Sequence, residues 1–382
     1  MSTKHSKAAA EFLKNKKQAA WHDETLWLVR AKRDRLSKEV PEWEELRNMA
    51  CATKLYSNSH LDELLVEFEN NARANGAHVY WAKDADEYCN IVYNILNQHG
   101  VKHFIKSKSM LAEECELNPF LESKGIEVVE SDLGERILQL MHLKPSHIVL
   151  PAIHIKREQV GELFEREMGT EKGNFDPTYL THAARKNLRQ KFIHAEAAMT
   201  GANFAVASTG EIVVCTNEGN ADMGTSQPKL QIAAFGMEKI VPDRESLGVF
   251  TRLLARSATG QPITTYTSHY RKPREGGELH IIIVDNGRSK ILADPKHIKT
   301  LNCIRCGACM NTCPVYRRSG GYSYTYFIPG PIGINLGMLK APLHYYDNVS
   351  ACSLCYSCSF VCPAKVDLAE QIYLWRQDLD KL

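Results

Sequence analysis

The sequence predicts an α/β domain with helices ahead of it and a compact cysteine-rich module behind it, and three observations lead there. Between residues 59 and 295, short apolar runs alternate with amphipathic stretches closed by glycine, which is how a sheet covered by helices reads. Residues 1–58 show helical spacing and no strand pattern. Residues 296–382 gather two sets of cysteines at identical pitch. The 382 residues, 44% of them apolar, suffice for two or three domains with a sizeable core, and the divisions are placed at 1–58, 59–295 and 296–382.

Taken in order, Phe12, Leu13, Trp21, Leu26, Leu28 and Val29 are interleaved with Lys and Arg until Pro41 interrupts the first helical run. A second helix follows with Trp43, Leu46 and Met49 on one side, and the mixed charges of the segment read as a solvated face. The next helix opens at a capping box over Ser59 to Asp62 and stops at Gly76; another opens at Asp84 and stops at Gly100. Short strands are expected at His78 to Trp81, His103 to Ile105, Ile126 to Val129 and His147 to Leu150, separated by helices and therefore parallel. A long helix, capped by Asp176 with Pro177 in its first turn, runs through about Met199. Strands follow at Asn203 to Ala207, Glu211 to Cys215, Gln231 to Phe235, Ile240 to Val241 and His280 to Val284. Asp285-Asn286-Gly287-Arg288-Ser289 then makes a turn that exposes its arginine. Ile328-Pro329-Gly330-Pro331-Ile332-Gly333 should not be helical and reads as a partner-facing loop, while Asp367 to Leu382 should form a helix covering the second cysteine set.

Cys303, Cys306, Cys309 and Cys313 are answered by Cys352, Cys355, Cys358 and Cys362 at the same C-x-x-C-x-x-C-x-x-x-C pitch, closed by Pro314 and Pro363. Three thiolates at this pitch can turn to three corners of one iron-sulfur cube, whereas the fourth serves a neighbouring cube, as in bacterial two-cluster ferredoxins. Two 4Fe-4S clusters are therefore expected, one on Cys303, Cys306, Cys309 and Cys362, the other on Cys352, Cys355, Cys358 and Cys313. Structural zinc would leave the third cysteine of each set without a role, and disulfide frameworks belong to short secreted chains. Cys51, Cys89, Cys115 and Cys215 have no ligand spacing and read as small buried hydrophobes.

A candidate ligand pocket involves His154, just beyond the fourth expected strand, with Thr209 and Gly210 in one glycine turn and Asn220 in another. Strand ends and such turns present free N–H groups to an anion. The plainer readings are a hydrogen-bonded histidine and two hairpin turns. No G-x-G-x-x-G follows a strand and no P-loop is present, so the sequence makes no case for a nucleotide site of those two types. A net charge of +2 gives no case for nucleic acid. Lysines break the amino terminus before a signal-peptide core can form, and there is no membrane span, so a cytoplasmic protein is expected.

The stretches PSHIVLPAIH (Pro145 to His154), GANFAVASTGEIVVCTNEGN (Gly201 to Asn220), MEKIVPD (Met237 to Asp243), ELHIIIVDNGRS (Glu278 to Ser289) and GPIG (Gly330 to Gly333), together with both cysteine motifs, occur in a specific order. In that order the sequence resembles the iron-sulfur family of the bacterial L-lactate utilisation system, its B proteins. The resemblance implies that residues from about 60 to 295 fold like the ribose-phosphate isomerase and coenzyme A transferase group. It also implies two partners from the same system, a cysteine-rich A protein and a C protein carrying only the lactate-utilisation domain. The family commonly continues past the second motif, whereas this sequence stops at Leu382. The leading functional expectation is an electron-transfer subunit of a complex that oxidises L-lactate to pyruvate, itself non-catalytic or partly catalytic. The alternative is a self-contained enzyme acting on a phosphorylated or thioester substrate in the α/β domain. An iron-sulfur sensor would need a DNA-reading element, and none is recognisable.

Overall fold

The computed structural model describes residues 4–379. Ten strands are found among them: β1 (His78–Ala82), β2 (His103–Lys106), β3 (Glu127–Glu130), β4 (Ala197–Gly201), β5 (Phe204–Val206), β6 (Glu211–Thr216), β7 (Leu230–Gly236), β8 (Ile240–Val241), β9 (Tyr266–Tyr270) and β10 (Glu278–Val284). Six of them make one sheet in the order β1-β10-β7-β4-β2-β3, with every pairing parallel. The other four form a smaller sheet in the order β8-β5-β6-β9, in which only β5 and β8 run parallel.

The central strands of the larger sheet are buried on both faces, so they read as continuous apolar runs. Ile281 to Val284 in β10 and Ile232 to Phe235 in β7 are each at most 1% exposed. The Ala85–Gln98 helix covers one face with Tyr88, Val92 and Leu96. The Leu61–Ala74 helix covers the other with Leu65, Phe68 and Ala72, beside residues of the smaller sheet. Asp84 and Asp176 cap their helices as expected, each side chain accepting an N–H three residues on.

Several expected elements differ. His147 to Leu150 is a loop, because the His147 ring nitrogen Nδ1 accepts from the N–H groups of Val149 and Leu150 at 3.0 Å each, consuming donors a strand would pair. The long helix ends at His194, and the alanine-rich run expected to prolong it becomes β4. Alanine favours helix intrinsically, but parallel pairing with both β7 and β2, and burial of Ala197 to Thr200 between them, overrides that preference. The edge strand β9 was not foreseen; its side chains are half-buried or exposed and carry little apolar signal. Ser59 closes the Trp43–Ser59 helix rather than opening the next, whose N-cap is His60.

The amino-terminal segment is helical over Lys4–Lys14, Lys16–Lys38 and Trp43–Ser59. Its charged face is not wholly solvated, for Arg33, Arg47 and Lys54 point inward and are 7%, 9% and 2% exposed. Arg33 Nη2 donates to Val361 O at 2.9 Å, and Arg47 donates to Phe360 O at 2.8 Å and Cys362 O at 2.9 Å. These helices therefore strap the second cysteine motif to the rest of the chain.

At the other end, the Gly330–Lys340 helix replaces the expected irregular loop. Pro331 lies in its first turn, where a missing N–H has no helical partner to lose. Every residue from Gly330 to Met338 is buried, so this stretch is core and not a partner-facing surface. The Leu368–Leu379 helix follows, with Ile372 buried and Trp375 stacked on His297 at 3.9 Å between ring centroids. Residues 380–382 of the expected helix lie outside the described residues.

Two outcomes follow from this packing. A Cβ at Gly333 would stand 1.7 Å from the carbonyl oxygen of Ile328, while one at Gly248, inside the Arg244–Thr259 helix, would meet nothing within 4 Å. Urea unfolding should show Gly333→Ala destabilised by about 3 kcal/mol or more, and Gly248→Ala unchanged or stabilised by up to about 1 kcal/mol. The second outcome concerns His147, whose Nε2–H donates to Asn311 Oδ1 at 2.9 Å while Nδ1 accepts two amides, fixing the neutral tautomer. Burial holds its pKa down at about 3 against an ordinary 6.5. Between these values the unfolded chain binds the extra proton, so stability must fall as pH falls from 6.5, with a slope that steepens toward about 1.4 kcal/mol per pH unit for this one group. The His147→Gln variant should unfold with a shallower slope between pH 6.5 and 5.5, and parallel slopes would contradict the assignment.

Candidate metal centre and the cavity beside it

The two cysteine sets adopt one backbone conformation twice. Arg305 and Leu354, each two residues past the first cysteine, are left-handed at φ 61° and 51°. Gly307 and Tyr356, four past it, are left-handed at 77° and 59°. Each bend turns an N–H back onto the first sulfur, Arg305 N to Cys303 Sγ and Leu354 N to Cys352 Sγ, both at 3.4 Å. A short helix follows in each, Ala308–Thr312 and Ser357–Val361, and the fourth cysteine leaves it in extended conformation. Both fourth sulfurs also receive an amide, Cys313 from Tyr316 N at 3.5 Å and Cys362 from Val366 N at 3.4 Å.

That fourth cysteine is carried away from its own set. Cys362 interacts with Cys303, Cys306 and Cys309, and with them lines a small cavity walled by Ile148, Ile332 and Leu368. Cys313 interacts with Cys352, Cys355 and Cys358. All eight are free thiols; Cys355 is exposed, Cys303 and Cys352 are half-buried and the rest are buried.

The electrostatics of these groups fit a bound metal cluster. Burial, followed by neighbouring sulfurs, pushes the Cys306 thiol up to about 12 and Cys309 well above its ordinary range. Burial likewise raises Cys313 and Cys362 to about 11. Eight thiolates so placed repel one another unless a multivalent cation lies among them, which is the condition under which buried cysteines ionise. At Cys355 desolvation is outweighed by hydrogen bonds from Ser357 and Ser353, and the thiol lies below its ordinary range.

Against the first set lies a second, larger cavity of about 350 Å³. It sits at the carboxyl ends of β2, β4, β7 and β10, where open α/β sheets hold their ligands, and Cys306 belongs to its wall. A buried ion network floors it. Arg288, expected on an exposed turn, is instead 5% exposed; it donates to Glu114 at 2.8 and 2.9 Å and to Glu238 at 2.6 Å. Against the cost of burial, Arg288, Arg305 and Lys239 hold the Glu238 carboxyl down at about 2. Burial, with Arg305 next, holds Lys239 down at about 8. Lys54, from the amino-terminal helices, donates to the Glu238 carbonyl.

Of the four residues read from the sequence as a ligand pocket, only Asn220 lines this cavity. Thr209 and Gly210 form the β5–β6 turn, where Asn75 Nδ2 donates to Thr209 O at 2.8 Å and Gly210 abuts Ala72. His154 bonds Ser146 Oγ at 2.5 Å and Tyr322 Oη at 3.0 Å beside the cysteine linker, and burial holds it down at about 4. Lys239, Arg305 and Glu238 were missed because their part in the wall is set by partners distant in sequence, although Arg305 lies inside the first cysteine motif. Two charges adjoining apolar strands, Glu238-Lys239 before Ile240-Val241, were the available signal.

Residues 65–291 match the LUD domain family and residues 299–366 match the 4Fe-4S dicluster domain. The chain is 44% identical to "Lactate utilization protein B" of Geobacillus thermodenitrificans over 348 residues, covering 89% of this chain and 73% of that one. The same name belongs to a protein of Bacillus pumilus, also 44% identical with the same coverage. "Uncharacterized electron transport protein YkgF" of Escherichia coli K12 is 41% identical over 91% of this chain and 74% of its own. A crystal structure of a DUF162 family protein from Deinococcus radiodurans is 16% identical and covers 59% of this chain and 98% of that one, at a TM-score of 0.33, an overlap too low to argue from. On the LUD domain, the 4Fe-4S module behind it and identity along nearly nine tenths of its length, the chain belongs to the lactate utilization protein B family.

Proposed function

We propose that this chain is an iron-sulfur electron-transfer subunit of a complex that oxidises L-lactate to pyruvate. What supports the reading most is that each fourth cysteine lies beside the other set's three, in two conformationally matched loops. Cys303, Cys306, Cys309 and Cys362 would hold one 4Fe-4S cluster and Cys352, Cys355, Cys358 and Cys313 the other, supplying one-electron transfer between close centres. The chain's own residues do the positioning: amides of Arg305, Leu354, Tyr316 and Val366 point at sulfur, and Ile148, Ile332 and Leu368 keep water from the first set. Exposed Cys355, with Phe360 74% exposed five residues on, gives the second set the shorter route to a partner.

Four cysteines per cluster leave no open metal position for a hydroxy acid, so substrate chemistry belongs to the α/β part or to a partner protein. The partners are then the cysteine-rich A protein and the C protein, built from the lactate-utilisation domain, of the same system. The cytoplasm is the fitting compartment, because free thiols persist in reducing surroundings. Residues 59–295 form the lactate-utilisation domain, with a fold like that of the ribose-phosphate isomerase and coenzyme A transferase group, between a 1–58 strap and a 296–382 cluster module. A self-contained enzyme on a phosphorylated or thioester substrate finds support only in the cavity.

Anaerobically reconstituted protein should carry about eight irons and eight sulfides per chain, and stoichiometric zinc instead would sink the reading. Cys313→Ser should damage the cluster of the second set and spare the first, and Cys362→Ser the reverse; loss confined to the cluster nearest in sequence would overturn the crossing. Deleting the gene should abolish growth on L-lactate and leave growth on glucose intact. Normal growth on lactate, in a strain with no other lactate-oxidising system, would defeat the function.

A further inference from the structure

The cavity beside the first cysteine set is distinct from the one those cysteines themselves line, although Cys306 belongs to both walls. At about 350 Å³ it falls within the range of small-molecule sites and has room for about a dozen waters. Its charges are unevenly engaged. Arg288 spends its donors on Glu114, Glu238 and the Asp285 carbonyl. Arg305 is different: Nη2 stands 3.6 Å from Glu238 Oε1, while Nη1 is buried without any partner. Lys239, also in the wall, makes no hydrogen bond or ion pair among the described residues. Thr216 Oγ1 and Asn220 Oδ1, in the same wall, are buried and unpartnered too.

An unpaired buried polar group costs about 1–3 kcal/mol, more when charged, so a wall that leaves Arg305 Nη1, Thr216 Oγ1 and Asn220 Oδ1 unsatisfied, with the half-buried Lys239 ammonium beside them, is shaped for something that meets them. The partner must be anionic at the Arg305 and Lys239 end. It must offer a hydrogen-bonding group to Thr216 and Asn220. It must also be partly apolar, since Met110, Val149 and Phe235 complete the wall. A guanidinium fork with a free nitrogen and a nearby ammonium is the pairing that grips a planar carboxylate.

We infer that this cavity binds a small organic carboxylate, its acid group between Arg305 and Lys239, with a hydroxyl that donates to Asn220 Oδ1 or a keto oxygen that accepts from Thr216 Oγ1. The choice of 2-hydroxy or 2-oxo acids within that class rests on the electron-transfer reading above. Held there, the acid lies against the Cys306 wall, so the domain that binds the small molecule and the module that handles electrons share one surface.

Titration calorimetry of the cluster-loaded chain with L-lactate, pyruvate and inorganic phosphate tests this. One carboxylate per chain should bind, Lys239→Gln should weaken it at least tenfold, and Lys239→Arg should recover most of the loss, with iron content unchanged in all three proteins. Thr216→Val should weaken pyruvate while leaving acetate, which lacks the keto oxygen, unaffected. Absence of carboxylate binding at millimolar concentration overturns the site, as does wild-type affinity in both Lys239→Gln and Thr216→Val. Displacement of the carboxylate by equimolar phosphate overturns it in favour of a phosphate site. The electron-transfer reading is scored separately, by iron and sulfide content and by growth on lactate. Carboxylate binding with no growth defect would retire that reading and keep the site, and a growth defect without binding would do the opposite.

Discussion

Eight thiols drawn into one seam, six of them in sets whose fourth member comes from elsewhere, are the constraint around which the rest of the chain is arranged. Sulfur that is to be ionic at neutral pH cannot be buried without cations and amide donors around it, and it cannot keep its spacing unless the loops carrying it are held. The surrounding parts meet these needs in turn. Left-handed turns at 305, 307, 354 and 356 aim backbone amides at sulfur. Arg33 and Arg47 reach in from the amino-terminal helices, partly offsetting the rise that burial imposes on Cys306 and Cys362 respectively, while tying down the carbonyls of Val361 and Cys362. Arg376 donates to the carbonyls of Val349 and Cys352 beside the second set. The Gly330–Lys340 helix, buried through Met338, fills the space behind.

The same seam joins the cluster module to the α/β part. Glu238, just after β7, is its node: Arg288 from the loop after β10 and Arg305 from the first cysteine loop both face its carboxylate, and Lys54 takes its carbonyl. Removing one member of so buried a network would leave uncompensated charge, which is far costlier than the net worth of the pairs. His147 does a similar job without charge, its ring taking two amides of its own loop and meeting Asn311, whose Nδ2 in turn donates to Ala258 O at 2.9 Å. The fold thus fixes the first set, the sheet ends and the 350 Å³ cavity relative to one another.

Much of this was readable in the residues. The cysteine pitch, the apolar strands β7 and β10 and the caps at Asp84 and Asp176 are local signals, and each is where the sequence puts it. What escaped was decided by distant partners. Ala197–Gly201 became a strand because β2 and β7 pair with it on both sides, and Pro331 sits in a helix because the first turn tolerates it. Arg288 looked exposed because its turn is polar, yet Glu114 and Glu238, at 174 and 50 residues' remove, draw it inside. For the same reason three of four expected pocket residues lie elsewhere: glycine turns mark where a backbone can bend, while the cavity is drawn by charges that no local pattern announces.

The central claim is that the two thiol sets hold two close, electronically communicating 4Fe-4S clusters through exchanged fourth cysteines. Low-temperature EPR of the anaerobic holoprotein, reduced stepwise, measures this most directly. The account predicts one cubane signal at partial reduction that broadens and splits by spin–spin coupling once both centres are reduced. Two signals that add without interacting, or a single cluster at full reduction, would contradict it.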